Sequence, residues 1–222
     1  MKSEIAFILD NSGSMESIRK STIDGFNSFV LDQQAAPGET NLSLLLFNTG
    51  TEHRHQSVPI AQIPPLNPDT YVPNGGTALL DAIGETIDRL GQQIAALPES
   101  ERPGHVTVAI LTDGEENSSR HYSWLQIADR IKHQTETYSW EFLFLGAGPD
   151  TIATAGRMNI DCCKVALFTA DDAGSTAAFK SSSRKSISER AKKFGYATEQ
   201  QLKDAEAPLA DIQAQEDSIA RK

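Results

Sequence analysis

Cysteine is almost missing from this chain: 222 residues hold two, and they are neighbours, Cys162 and Cys163. Adjacent cysteines close a disulfide only through a strained eight-membered ring, so no disulfide framework is available to hold the fold. Two free, half-buried thiols are expected, and these fit a reducing compartment such as the cytoplasm. Long apolar runs are missing too, and nothing approaches the roughly eighteen apolar residues of a membrane helix. Positive charge is in deficit: 20 Lys and Arg against 30 Asp and Glu give a formal net charge of -10. That balance disfavours nonspecific capture of nucleic acid or anionic membrane and leaves proteins, metals and small cations as partner classes. Met1 to Asp10 reads as a strand, without the basic and apolar regions of a secretory leader, so an unsecreted protein is expected. No P-loop and no Gly-x-Gly-x-x-Gly follows a strand, which counts against nucleotide binding.

What is present is an alternation. Short runs rich in Ile, Val, Phe and Leu recur between longer amphipathic stretches, the pattern of βαβ units around a parallel sheet. Glu4 to Leu9, Leu42 to Phe47, His105 to Leu111, Glu141 to Leu145 and Lys164 to Phe168 predict parallel strands covered on both faces. Thr51 to Val58 is mostly polar, carries His53 and His55, and follows Leu42 to Phe47 across the tight Asn48-Thr49-Gly50 turn. It reads as the second strand of a hairpin, antiparallel and at the sheet edge. Helical spacing predicts helices over Ser17 to Gln34, Ala78 to Ala96, Ser123 to Tyr138, Pro149 to Met158 and Ala170 to Phe194. The five prolines from Pro59 to Pro73 mark a surface loop returning to the top of the sheet. The expected architecture is a three-layer, Rossmann-like, doubly wound α/β sheet, mostly parallel with one antiparallel edge strand and helices on both faces. It occupies residues 1–195; the Gln- and Glu-rich stretch 196–222 reads as a polar tail, a marginal helix or disordered.

The residues that carry chemistry sit where the strands end. The first strand closes in Asp10-Asn11-Ser12-Gly13-Ser14-Met15, and in an open parallel sheet ligands sit beyond the carboxyl ends of the strands. Asp10, Ser12 and Ser14 alternate along a turn that Gly13 makes tight, so three oxygen-bearing side chains can converge. Two further segments reach the same end: Asn74-Gly75-Gly76-Thr77 before the second long helix, and Leu111-Thr112-Asp113-Gly114 after the strand from His105. Five hard oxygen donors select Mg²⁺ or Ca²⁺ over zinc or copper. The plainer reading of any one segment is a helix cap or a satisfied turn; the three together, in order, favour the metal.

This Asp-x-Ser-x-Ser segment, distant Thr and later Asp resemble the metal-ion-dependent adhesion site of von Willebrand factor type A domains, residue by residue at Asp10, Ser12, Ser14, Thr77 and Asp113. The flanking Gly13, Met15, Thr112 and Gly114 and the Gly-Gly before Thr77 are similar as well. The resemblance covers roughly the first 170 residues. It implies a doubly wound sheet with one antiparallel edge strand and a bound Mg²⁺, with Mn²⁺ or Ca²⁺ as alternatives. The two serines would bind it directly, and Thr77 and the two aspartates directly or through water. A shell of hydroxyls and two carboxylates leaves one of six octahedral positions open. A partner's Asp or Glu is its natural occupant. The implied function is therefore a cytoplasmic, non-catalytic interaction module; stand-alone intracellular members point to an AAA-type ATPase as the partner class.

The remaining candidates read more plainly. His53 and His55 lack a third metal ligand and are expected on a solvated face. His105, His121 and His133 are scattered without a catalytic partner. Glu115 and Glu116 either tune the field at the metal and steer a basic partner, or are ordinary loop acids. Lys180, Arg184, Lys185, Arg190, Lys192 and Lys193 form a basic cluster, read as a solvated helix face rather than a docking face, and the two cysteines as ordinary packing. Two rival functions remain. One is a metal-dependent phosphohydrolase on a related Rossmann-like fold, opposed by Ser12 standing where the haloacid dehalogenase type needs a second Asp. The other is a nucleic-acid-associated protein using the cluster 180–193, opposed by the acidic remainder.

Overall fold

The alternation of side chains along the first strand decides how the molecule is layered. In β1 (Lys2–Asp10) the odd residues Ile5, Phe7 and Leu9 enter one apolar core and the even residues Ala6 and Ile8 enter another. A strand apolar on both faces must be covered on both. The computed structural model, which describes residues 1–222, has one sheet ordered β3-β2-β1-β4-β5-β6. The other strands are β2 (Glu39–Phe47), β3 (Thr51–Pro59), β4 (His105–Thr112), β5 (Glu141–Gly146) and β6 (Val165–Leu167). All neighbours run parallel except β2 and β3, which form the expected antiparallel hairpin at one edge. The predicted fold class is borne out.

The first core lies between the sheet and α1 (Arg19–Ala35) and α5 (Asp172–Phe194). Phe7 is its centre, with ring centroids 5.6 Å from Phe26, 4.9 Å from Phe29 and 5.6 Å from Phe179. Gly25 lets α1 and α5 approach this closely: a Cβ there would lie 2.3 Å from the Phe179 ring. The second core lies under α2 (Leu79–Ala96), α3 (Trp124–Tyr138) and α4 (Thr151–Arg157). In α2 the residues Leu79, Ile83, Ile87 and Leu90 form the helical stripe that the sequence predicts. The first helix begins later than expected, because Gly13–Ile18 is a 3-10 turn that buries Met15 and Ile18 beneath the strand ends.

Several expectations are corrected. Residues 196–222 take the helical one of the two forms expected, as α6 (Glu199–Glu206) and α7 (Leu209–Ala220); what differs is the packing, with Leu209 and Ile212 of α7 fully buried. Few but well-placed apolar residues suffice when an existing groove receives them, which average composition does not reveal. The basic cluster is no solvated face. Lys185 and Arg190 are 1% exposed, and Lys185 Nζ donates to the carbonyls of Asp204, Ala205 and Ala207 that end α6. Arg184 grips Asp204 at 2.6 and 2.7 Å and also meets Glu216. Lys180 pairs with Asp32 and Lys192 with Glu206. The cluster is thus largely neutralised within the chain as a polar seam between helices, leaving little positive charge for nucleic acid. His53 and His55 are half-buried, and His53 contacts Glu85 of α2 at 3.2 Å. Cys162 and Cys163 are exposed rather than packed. No helix is long and apolar enough to cross a membrane.

Candidate metal centre

The chain leaves β1 for β2 on one side, and later strands add beyond β4 on the other, so the connections after β1 and β4 diverge and leave a crevice at the rim. Asp10 ends β1 in that crevice and is fully buried. One carboxylate oxygen accepts the Ser12 N–H at 2.7 Å and the other accepts the Thr112 hydroxyl at 2.5 Å, across the β1–β4 boundary. The Tyr71 hydroxyl donates to the Asp10 carbonyl at 2.6 Å, tying the proline-rich connection to the same point. Two hydroxyls and an amide thus leave Asp10 one orientation.

The turn that follows is fixed by its backbone. Asn11 N–H donates to the Phe47 carbonyl at 2.6 Å, and Gly13 N–H to the Gly75 carbonyl at 3.1 Å. Ser12 and Ser14 then bring their hydroxyl oxygens within 3.1 Å of each other. Ser14 Oγ donates to the Asp113 carboxylate at 2.6 Å, joining residues 99 positions apart. Thr77 arrives through its own scaffold. Its N–H donates to the Asn117 side chain at 2.8 Å, and Gly75, with φ +73°, turns the chain into place. Its hydroxyl lies against Gly114, where a Cβ would stand 2.9 Å from Thr77 Oγ1 and 3.6 Å from Ser14 Oγ. Gly114 is what permits that approach.

All five residues singled out in the sequence therefore meet at one rim. Asp10, Ser12 and Thr77 are at most 3% exposed, so they belong to the packed end of the sheet. Ser14 is exposed and Asp113 half-buried, and these two form the open side. Burial pushes the Asp10 carboxyl up to about 6 against the hydrogen bonds from Thr112 and Ser12, and the charge of Asp113 adds to the rise. Asp113 is also raised, chiefly by burial, with the Ser14 hydrogen bond opposing.

Sequence reasoning missed the supports. Glu116 has a structural task in the loop. Its carboxylate accepts from Ser118 N at 3.0 Å, Ser119 N at 2.8 Å, Leu80 N at 3.0 Å and Ser119 Oγ at 2.7 Å, so it stitches the loop after β4 to the start of α2. Asp81 in the first turn of α2 accepts from the backbone N–H groups of Arg120, His121 and Tyr122. For Asp81 nothing local in sequence marks the role, since its partners lie more than thirty positions away; for Glu116 the Ser118 and Ser119 bonds are local, but the Leu80 bond that ties the loop to α2 is not.

The donor set fits a hard divalent cation: two carboxylates and three hydroxyls, with no imidazole or thiol among them. Neither carboxylate makes a salt bridge, and each is raised by burial, a charge imbalance that a bound cation would relieve. The group can hold such an ion on one side and present it on the other, through the gap beside Ser14 and Asp113.

No protein-family model matches the chain, and no curated protein matches it in sequence. Solved structures do match in shape. A von Willebrand factor type A protein from Catenulispora acidiphila superposes with a TM-score of 0.54 at 17% identity, over 84% of this chain and 43% of that one. Manganese-loaded TRAP protein of Plasmodium vivax gives a TM-score of 0.55 at 16% identity, over 80% and 71%. Proximal thread matrix protein 1 from the mussel byssus, with a zinc-occupied MIDAS motif, gives 0.56 at 15%, over 82% and 44%. The chain thus spans less than half the length of the first and third. At such identities the likeness speaks to the fold alone, and that fold is the one shared by von Willebrand factor type A domains.

Proposed function

We propose that this protein is a non-catalytic interaction module in which Asp10, Ser12, Ser14, Thr77 and Asp113 hold a Mg²⁺ ion and the ion binds a carboxylate of a protein partner. The observation that carries the reading is the Ser14–Asp113 contact at 2.6 Å. It joins the turn that carries Asp10, Ser12 and Ser14 to the loop that carries Asp113, on the side that remains open to solvent, and Thr77 Oγ1 approaches the same place beside Gly114. When bound, the ion supplies a Lewis-acidic coordination position for an incoming Asp or Glu. This chain's part is to hold the donors in place, Asp10 through Thr112 and Thr77 through Asn117, so that little rearrangement accompanies binding. Neighbours of the same fold with manganese or zinc support divalent metal binding in general. The choice of Mg²⁺ rests on the all-oxygen donor set. A cytoplasmic location and an AAA-type ATPase as partner belong to the same proposal; they rest on the free thiols and on the family resemblance.

The test is capture of the partner by the whole chain, with Mg²⁺ and with chelator, for wild type and Asp113→Ala. Capture should need the ion and disappear in the variant while circular dichroism is unchanged. Equal capture by the variant, or in chelator, rejects the proposal.

A further inference from the structure

The opposite end of the sheet carries a cavity of about 280 Å³ that no metal-site residue lines. Its floor is Glu4, on the α2 face of β1 and only 3% exposed. One carboxylate oxygen accepts the Ser43 hydroxyl at 3.0 Å and the other the Ser57 hydroxyl at 2.7 Å. Ser57 sits where the β2–β3 register slips, with φ 49° in the left-handed region, and its N–H donates to Ser43 Oγ at 2.8 Å. A serine held in so unfavourable a backbone state fixes the carboxylate as the floor of the cavity. Glu4 nonetheless makes no salt bridge, and burial pushes it up to about 7 against the two serine bonds. A carboxylate enclosed with neutral partners alone lacks its counter-charge.

The rest of the lining says what could supply it. Leu90 and Ile94 of α2, with Leu97 just past its end, form an apolar wall, and Leu97 is 38% exposed, hydrocarbon left bare beside a charged floor. Glu39 and Glu101 stand exposed at the mouth. Lys2 is the one basic residue lining the cavity; it is exposed and unpaired. A hard metal ion at the floor would find one carboxylate whose hydroxyl neighbours already donate to it, with Glu39 and Glu101 out at the mouth and an apolar wall that offers no oxygen. An alkyl chain ending in a cation finds a partner for each part.

We propose that this cavity binds an aliphatic ammonium ligand, with its charged head on Glu4 and its methylene chain along Leu90, Ile94 and Leu97. The acidic mouth then receives a second cation, so a linear diamine binds more tightly than a monoamine of equal length.

Calorimetry on the whole chain near pH 8 with 1,4-diaminobutane, butylamine and 1,4-butanediol tests it. The diamine should bind saturably, butylamine more weakly and the diol not at all. Glu4→Gln should weaken the diamine by roughly ten- to a hundred-fold, the weight of one charge-assisted hydrogen bond. Leu97→Arg, a surface change that leaves the core untouched, should block the cavity. Glu39→Gln with Glu101→Gln should narrow the gap between diamine and monoamine, and Lys2→Gln, removing a competing cation, should tighten both. Wild type without saturable binding, a diol that binds as well as the diamine, or full affinity in Glu4→Gln or Leu97→Arg overturns the proposal. Asp113→Ala should leave amine binding unchanged, which separates this site from the metal centre.

Discussion

Glu4 and Asp10 lie on the same face of β1, near its two ends, and each is buried, raised by that burial and held by two hydroxyl-bearing neighbours. What differs is the company. Asp10 lies where connections diverge, and it gains a second carboxylate and three hydroxyls from neighbouring loops. Glu4 lies where β2 and the end of α2 close over it, and it gains hydrocarbon and two more distant acids. One strand face thus presents two carboxylates without a salt bridge, and topology sets the surroundings on which the two proposals rest: a small hard ion at the carboxyl rim, an alkyl ammonium at the amino end. The comparison teaches that a buried acid alone identifies a charge deficit; the donors around it identify the chemistry.

The largest expected break in the comparison is at the rim. Asp10→Asn keeps the shape and one acceptor oxygen, for the Ser12 N–H, turns the contact with the Thr112 hydroxyl into one in which the new amide donates, and removes one of two negative charges, so Mg²⁺- or Mn²⁺-dependent thermal stabilisation should vanish while the apo protein stays folded. Retained stabilisation by metal would place the ion elsewhere. Next in size is the pH dependence at the other end. The folded-state pKa of Glu4, about 7, lies above its ordinary 4.5. Its contribution to stability is therefore fully present below pH 4.5 and is lost as pH rises through 7. That gap is worth on the order of 3 kcal/mol. Glu4→Gln should match wild type near pH 4.5 and exceed it by up to about that amount near pH 8 in urea unfolding. Added 1,4-diaminobutane should shrink the difference by stabilising wild type alone.

The rim was legible in the sequence and the amino end was not, for a physical reason. Asp10, Ser12, Ser14, Thr77 and Asp113 sit at strand and helix ends, where turn residues stand out against apolar runs. Glu4 sits inside a run read as strand, and its partners Ser43 and Ser57 depend on pairing register, with a bulge that no local pattern announces. The sheet itself was legible because both faces of β1, β2, β4 and β5 are apolar and the intervening helices carry clear stripes. The α5–α7 layer was misread because Lys185, Arg190 and Asp204 are buried, Lys185 against the carbonyls that end α6, Arg190 against the Thr40 hydroxyl and Asp204 against Arg184, and charge by itself reads as solvation.

A smaller effect at the rim sharpens the distinction between donors and their supports. Glu116→Ala strands the Leu80, Ser118 and Ser119 amides that the carboxylate now satisfies, at about 1–3 kcal/mol of stability. Because Asn117 in the same loop positions Thr77, metal affinity should fall with it. Metal titration beside chemical unfolding would separate the two losses, and unchanged affinity would show that Thr77 is held without the loop.

The finest test leaves every donor in place. In Gly114→Ala the new methyl would stand 2.9 Å from Thr77 Oγ1, closer than such contacts allow, and the Thr77 hydroxyl is the group that must yield. Ser14 Oγ, at 3.6 Å, is in ordinary contact and should stay. Fold and net charge are unaltered, so the loss should appear as roughly ten-fold weaker metal binding, about 1.4 kcal/mol, with little change in apo stability. A wild-type metal affinity in Gly114→Ala would mean that Thr77 is not a ligand, and the rim would then hold its ion with Asp10, Ser12, Ser14 and Asp113 alone.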